Sequence, residues 1–280
     1  MSVYHGFNYL FTELADPRVY DWPLMSNPLQ ISTIIGVYLY AIYVFLPSYM
    51  ADKKPHSLRI VIACYNIFQV CACVALIYGV ATSGWTTHYN LIGCQPPDFS
   101  NDHLAVRMAA CMWWTVMLKM VELLETVFFI LRKKYNQVSF LHVYHHVSTL
   151  IMAWLVCKYF AGKIMRRLFV IKIFNLIVSG GMLSFTVICN SFVHVLMYTY
   201  YLLSSFGPKM QKKLEYVKPK LTIVQLVQLV ILFIQNMQLL SPSCSINNIV
   251  AYIFLPNVVI NIIFFIKFYI KSYKKSEKNN

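Results

Sequence analysis

An all-α membrane bundle is the fold this sequence predicts, and three observations predict it. Hydrophobic residues make up 59% of the 280 and charged residues only 12%, about half the share of an ordinary soluble domain. Charge-free runs extend from Trp22 to Ala51, from Ile60 to Pro97 and from Leu221 to Ile266, each longer than the roughly 20 residues that cross a bilayer as a helix. The basic residues fall in alternating gaps between apolar runs, the pattern of a polytopic protein obeying the positive-inside rule.

Seven transmembrane helices follow in order, at roughly 28–47, 60–81, 110–131, 138–160, 181–204, 221–240 and 249–270. Pro47 closes the first, and Lys53, Lys54 and Arg59 separate it from the second. Arg132, Lys133 and Lys134 end the third. The fifth stops before Gly207-Pro208, with Lys209, Lys212, Lys213, Lys218 and Lys220 behind it, and Ser241-Pro242 punctuates the sixth. Lys271, Lys274, Lys275 and Lys278 follow the seventh, while the gaps after the second and sixth have almost no basic residues. This places the N-terminus outside or luminal and the C-terminus in the cytosol. No basic region with a small-residue cleavage site precedes the first span, which we expect to act as its own signal. A net charge of +14 therefore reports topology, and no nucleic-acid partner is implied.

Cys64, Cys71, Cys73, Cys111, Cys157 and Cys189 lie inside apolar spans and read as small hydrophobes. Cys94 and Cys244 occupy the two charge-poor gaps, on the oxidising side, so a Cys94–Cys244 disulfide is expected.

Ionisable groups at membrane depth are expensive and mark function. His142, His145 and His146 crowd one side of a helix in the fourth span. In the third, Lys119, Glu122, Glu125 and Thr126 form a polar stripe that lipid would not tolerate, with Lys119 and Glu122 spaced to pair. In the fifth, Asn190, His194, Tyr198 and Tyr201 share a face, and in the sixth Thr222, Gln225 and Gln228 recur every three residues. Together these line a reactive, hydrated cavity. A di-iron site needs more imidazoles than this chain clusters, because His5, His56, His88 and His103 stand alone in terminal or loop positions. No metal is expected, which leaves nucleophilic and general acid–base roles for the histidines. A receptor or transporter with a ligand or proton site is the other class these residues allow.

Four ordered motifs carry a resemblance. Lys119-Met-Val-Glu-Leu-Leu-Glu-Thr126, His142-Val-Tyr-His-His146, His194-Val-Leu-Met-Tyr-Thr-Tyr-Tyr201 and Thr222-Ile-Val-Gln-Leu-Val-Gln228 resemble the signatures of the ELO family of very-long-chain fatty acid elongases. Glu125 departs from the pattern, which has Asp there, and adds one methylene of reach. The resemblance implies a bundle around an acyl-chain tunnel in the endoplasmic reticulum membrane, working with the other enzymes of the elongation cycle. It implies condensation of a long-chain acyl-CoA with malonyl-CoA to a 3-oxoacyl-CoA two carbons longer, with release of carbon dioxide and CoA and no bound cofactor. In that chemistry His145 accepts the acyl group, His142 and His146 orient it or move protons, and His194, held by Asn190, stabilises an intermediate. Lys119, Glu122, Glu125, Tyr198, Tyr201, Gln225 and Gln228 line the cavity. Cys189 is the rival nucleophile, but helical spacing turns it away from the Asn190–His194 face.

The pattern is interrupted once. Lys163 to Gly180 separates Ala161-Gly162 from Gly181-Met182, where the family runs on directly. The segment puts Lys163, Arg166, Arg167 and Lys172 on the side the charge rule keeps free of cations. It is biased to Ile, Phe, Lys, Asn and Leu and spans a whole number of codons. We read it as a retained intron or a gene-model error, the alternative being a lineage-specific amphipathic segment on the luminal surface; the rest forms one domain.

Overall fold

The computed structural model describes residues 9–13, 15–85, 87, 100–160, 180–242, 244 and 249–274. Cys94, His5, His88 and residues 163–179 of the interruption lie outside them. Among the described residues all the regular structure is helical, as the composition requires.

The first span runs from α1 (Pro28–Tyr40) through a π-turn (Ala41–Phe45) into α2 (Leu46–Met50). Asn27 caps it, its Oδ1 accepting from Leu29 N, and Pro28 occupies the first turn, where its missing N–H costs nothing. Pro47 does not end this helix as expected. The π-turn widens the turn before it, which accommodates a ring that a regular helix would exclude. Next come α3 (Arg59–Ala81), α4 (His103–Glu122), α5 (Leu124–Leu131), α6 (Phe140–Phe160), α7 (Gly180–Ser204), the short α8 (Pro208–Leu214), α9 (Val217–Met237) and α10 (Ile249–Tyr269).

Among the described residues six helices are long and apolar enough to cross a membrane, including Pro28–Met50, Arg59–Ala81 and Phe140–Tyr159. The third predicted span is different. It starts earlier than 110, at His103, because Asp102 Oδ2 accepts from Leu104 N and caps the helix there. It also breaks at Leu123, whose N–H bonds back three residues to Met120 instead of four. It is not among those six, yet its place in the bundle is fixed by packing.

That packing forms a closed ring. α3 packs on α7, α7 on α9, α9 on α10, α10 on α6, α6 on α4, and α4 back on α3. The first span stands outside the ring against α5. Ile60, Phe68, Tyr78, Phe192 and Tyr252 are exposed on the outer surface, apolar groups suited to lipid.

The segment before the first span is strapped to one end of α4 and α6. Trp113 Nε1 donates to Pro23 O, Trp154 Nε1 to Leu24 O and Lys158 Nζ to Met25 O. Leu24 takes a positive φ of 70°, a conformation unusual for a branched residue. Asp16 is buried beside Arg18; burial pushes its carboxyl up from the ordinary value, and the Arg18 backbone N–H and guanidinium pull the other way. At the opposite, basic end, Arg59 donates to Ser205 O and Phe206 O at 2.8 Å each. These bonds set a cation on the carbonyls just past the end of α7, the favoured sign there.

Candidate active site

Each polar group in the ring traces to a helical spacing already visible in the sequence. The stripe on α4 and α5 turns inward: Lys119 is 5% exposed, Glu125 8%, and Glu122 and Thr126 0%. Lys119 Nζ donates to both Glu122 oxygens at 2.8 Å, the pair its spacing predicted. The histidines come from α6 and α7 and meet this stripe. His194 Nδ1 lies 3.1 Å from Glu122 Oε1, with the ring turned too far for a linear hydrogen bond. His146 Nε2 lies 3.6 Å from Glu125 Oε2. Thr126 Oγ1 and His142 Nε2 share a hydrogen bond of 2.9 Å. Three histidines thus each face a different polar residue of the third span.

His145 is the exception. Its ring stands edge-on to His146 and Phe265, with centroids 5.7 and 6.0 Å away. Its electrostatic neighbours are His146, Lys119, His194 and Glu122. Among the described residues nothing donates to or accepts from its side chain. It keeps accessible surface, whereas His146 and His194 are buried. In the middle of a polar cluster, one imidazole is left free to react.

Sequence reasoning missed a further set of polar residues. Gln69 Nε2 donates to Tyr65 Oη at 2.8 Å, and Tyr65 Oη donates to Glu125 Oε1 at 3.4 Å, so α3 supplies a backing layer. Tyr38 Oη lies 2.8 Å from Thr126 Oγ1. Tyr144 Oη donates to Asn257 Oδ1 at 3.1 Å, and Asn261 Nδ2 donates to Asn257 O at 2.8 Å, tying α6 to α10. Tyr65 with Gln69 and Asn257 with Asn261 are i,i+4 pairs, the signal that would have found them.

The other expected cavity residues are placed less tightly. Asn190 is half-buried, and no hydrogen bond joins it to His194; Glu122 stands beside that ring instead. Tyr198 is fully buried and packs edge-on to His194 and Tyr65. Tyr201 lies on nearly the same helical face as His194 but is 37% exposed. Gln225 Nε2 donates to Met197 Sδ at 3.3 Å, and Gln228 is buried. The six cysteines in the spans are free. Cys244 is disulfide-bonded, and its expected partner, Cys94, lies outside the described residues.

Glu125, His142 and His146 each present a ligand atom within 4.8 Å of the others, the donor set of a two-histidine, one-carboxylate site. Of these histidines, His142 bonds Thr126 through Nε2, and His146 Nε2 faces Glu125.

Comparison with known proteins agrees with the motifs. The chain matches the model of the ELO: GNS1/SUR4 family over residues 23–182 and 167–280, two stretches that overlap at 167–182, across the end of the interruption. It is similar to a very long chain fatty acid elongase of Aedes aegypti, 37% identical over 88% of this chain and 63% of the relative. It is 42% identical to very long chain fatty acid elongase 4 of Mus musculus over 77% of this chain and 62% of that protein. With elongase 1 of Mus musculus it shares 40% identity over 82% of this chain and 76% of the relative. The chain thus spans less than two thirds of the length of the first two of these relatives.

Proposed function

We propose that this chain, which belongs to the ELO (GNS1/SUR4) family, condenses a long-chain acyl-CoA with malonyl-CoA. The observation that carries the reading is the free His145 inside a cluster whose other histidines all face a polar residue. A thioester carbonyl needs a nucleophile that is not tied up in a hydrogen bond. In the proposed first half-reaction, an imidazole nitrogen of His145 attacks the acyl thioester. The carbon–sulfur bond breaks, CoA leaves as the thiol with the ring proton, and an acyl-imidazole remains. In the second, malonyl-CoA loses carbon dioxide, and its α-carbon attacks the acyl carbon. The acyl carbon–nitrogen bond breaks, the product is a 3-oxoacyl-CoA two carbons longer, and the departing His145 ring takes up a proton from solvent, relayed by His142 or His146, to return as neutral imidazole. His194 stands beside Glu122, which Lys119 in turn holds, and the His194 ring is assigned to stabilise charge that develops on the thioester or enolate oxygen.

Tyr201 and the basic residues near it suit a CoA entering from that end, its phosphates among Lys209, Lys212 and Lys213 on α8. That end is cytosolic on the charge rule, with the N-terminus luminal. We place the protein in the endoplasmic reticulum membrane beside the enzymes that reduce and dehydrate the product.

The test is malonyl-CoA-dependent elongation of a panel of acyl-CoAs in microsomes, with the full chain beside a form lacking residues 163–180. Acyl-CoA alone should leave an acyl adduct on the His145 peptide. The reading fails if neither well-expressed form makes products two carbons longer. The nucleophile is wrong if the adduct maps to Cys189 or if His145→Ala keeps activity.

A further inference from the structure

The first span takes no part in closing the ring, yet one of its side chains reaches the histidine cluster. Tyr38 is 6% exposed, its ring packed in the main apolar core. Its hydroxyl is 2.8 Å from Thr126 Oγ1, which is 2.9 Å from His142 Nε2; both are hydrogen bonds of full strength by length.

The direction of this chain follows from counting protons. Tyr38 has one hydroxyl proton, and among the described residues its only acceptor is Thr126 Oγ1. A buried O–H without an acceptor is costly. Tyr38 therefore donates to Thr126, and Thr126 spends its own proton on His142. His142 Nε2 is then the acceptor, and the ring proton sits on Nδ1. The reverse order would leave the Tyr38 proton with nowhere to go.

We propose that Tyr38 is a positioning residue of the site, fixing the orientation and Nδ1–H tautomer of His142 through Thr126. The effect passes onward, because the His142 ring stands edge-on to His146 with centroids 4.3 Å apart, and His146 faces Glu125. A span that could have been only an anchor thereby enters the chemistry. The kinetic consequences rest on the condensation reading, and the tautomer does not.

The experiment is a ¹⁵N-histidine spectrum of the full chain in detergent, the His142 signals assigned with His142→Gln, alongside elongation kinetics. Tyr38→Phe keeps the ring and deletes the hydroxyl. We expect wild type to give the Nδ1–H pattern for His142 and Tyr38→Phe to move it toward a mixture of tautomers. With that shift, kcat should fall about fivefold, one net hydrogen bond, while KM for both substrates holds. Thr126→Val should lose at least as much, and Tyr38→Phe should add nothing to it; Thr126→Ser should retain the wild-type pattern. Additive losses, or His142 signals that do not move in Tyr38→Phe, would overturn the assignment, even if wild type elongates normally. A shift in a protein that elongates nothing would sink the condensation reading and leave the positioning role standing.

Discussion

Replacing Lys119 with Met removes one half of a buried ion pair and leaves the other half with nothing of opposite charge at bonding distance. Glu122 is 0% exposed and takes both its 2.8 Å hydrogen bonds from Lys119. Its next neighbour, His194 Nδ1 at 3.1 Å, is out of line. Breaking such a pair from one side costs about 3–5 kcal/mol, because a desolvated charge is stranded. Unfolding entropy near 2 cal/mol/K per residue turns that into a fall in Tm of roughly 5–8 °C for a chain of this size. The second half of the experiment is Lys119→Met/Glu122→Leu, which removes both charges and fills the space with apolar atoms. Replacing a whole buried pair in this way is often neutral or stabilising, so most of the lost Tm should return. Activity should not, because His194 then has no carboxylate beside it. Thermal unfolding in detergent, followed by fluorescence-detected size exclusion, reads the first quantity, and malonyl-CoA-dependent elongation reads the second. A double variant less stable than Lys119→Met, or a single variant as stable as wild type, would refute the argument that Glu122 is held as a charge by Lys119.

Two other outcomes are expected. Glu125→Asp restores the family's usual residue but withdraws the carboxylate by about 1.5 Å. It leaves contacts that are 3.4 Å to Tyr65 and 3.6 Å to His146, so kcat/KM should drop about fivefold at unchanged Tm; equal or higher activity would mean that the extra methylene has no structural use. Alkylation without reductant should leave Cys244 unlabelled, and reduction should lower stability by about 2–4 kcal/mol, whereas labelling of Cys244 in untreated protein would contradict the bond.

Charges were legible in this sequence because membrane depth makes them conspicuous. Lys119, Glu122, Glu125 and the histidines could be singled out, and the first two paired, from spacing alone, since an ionised group in an apolar helix has few tolerable surroundings. Neutral polar residues gave no such signal. Tyr38, Tyr65 and Gln69 sit in runs where a tyrosine at a membrane interface or a glutamine between helices would be unremarkable. Only the ring decides that these three face the cluster and that Tyr78 faces outward. The order of helices in the ring was equally hidden, being a property of contacts between spans far apart in sequence. The helix of the third span begins before the apolar run for a local reason, since Asp102 caps a helix whose first turns look like a loop by hydropathy.

The division of labour inside the ring follows from one local irregularity. The four clustered histidines lie on α6 and α7, while the residues facing three of them lie on the third span. A regular helix would present Glu122, Glu125 and Thr126 as one continuous stripe toward a single neighbour. The three-residue bond at Leu123 falls between the two carboxylates and tightens the turn there. Glu122 is thereby aimed at α7, where it meets His194, and Glu125 at α6 and α3, where it meets His146 and Tyr65. Thr126, one residue on, meets His142 on one side and the first span on the other. One helix with one break thus orients histidines on two others, and the imidazole that it does not reach is His145.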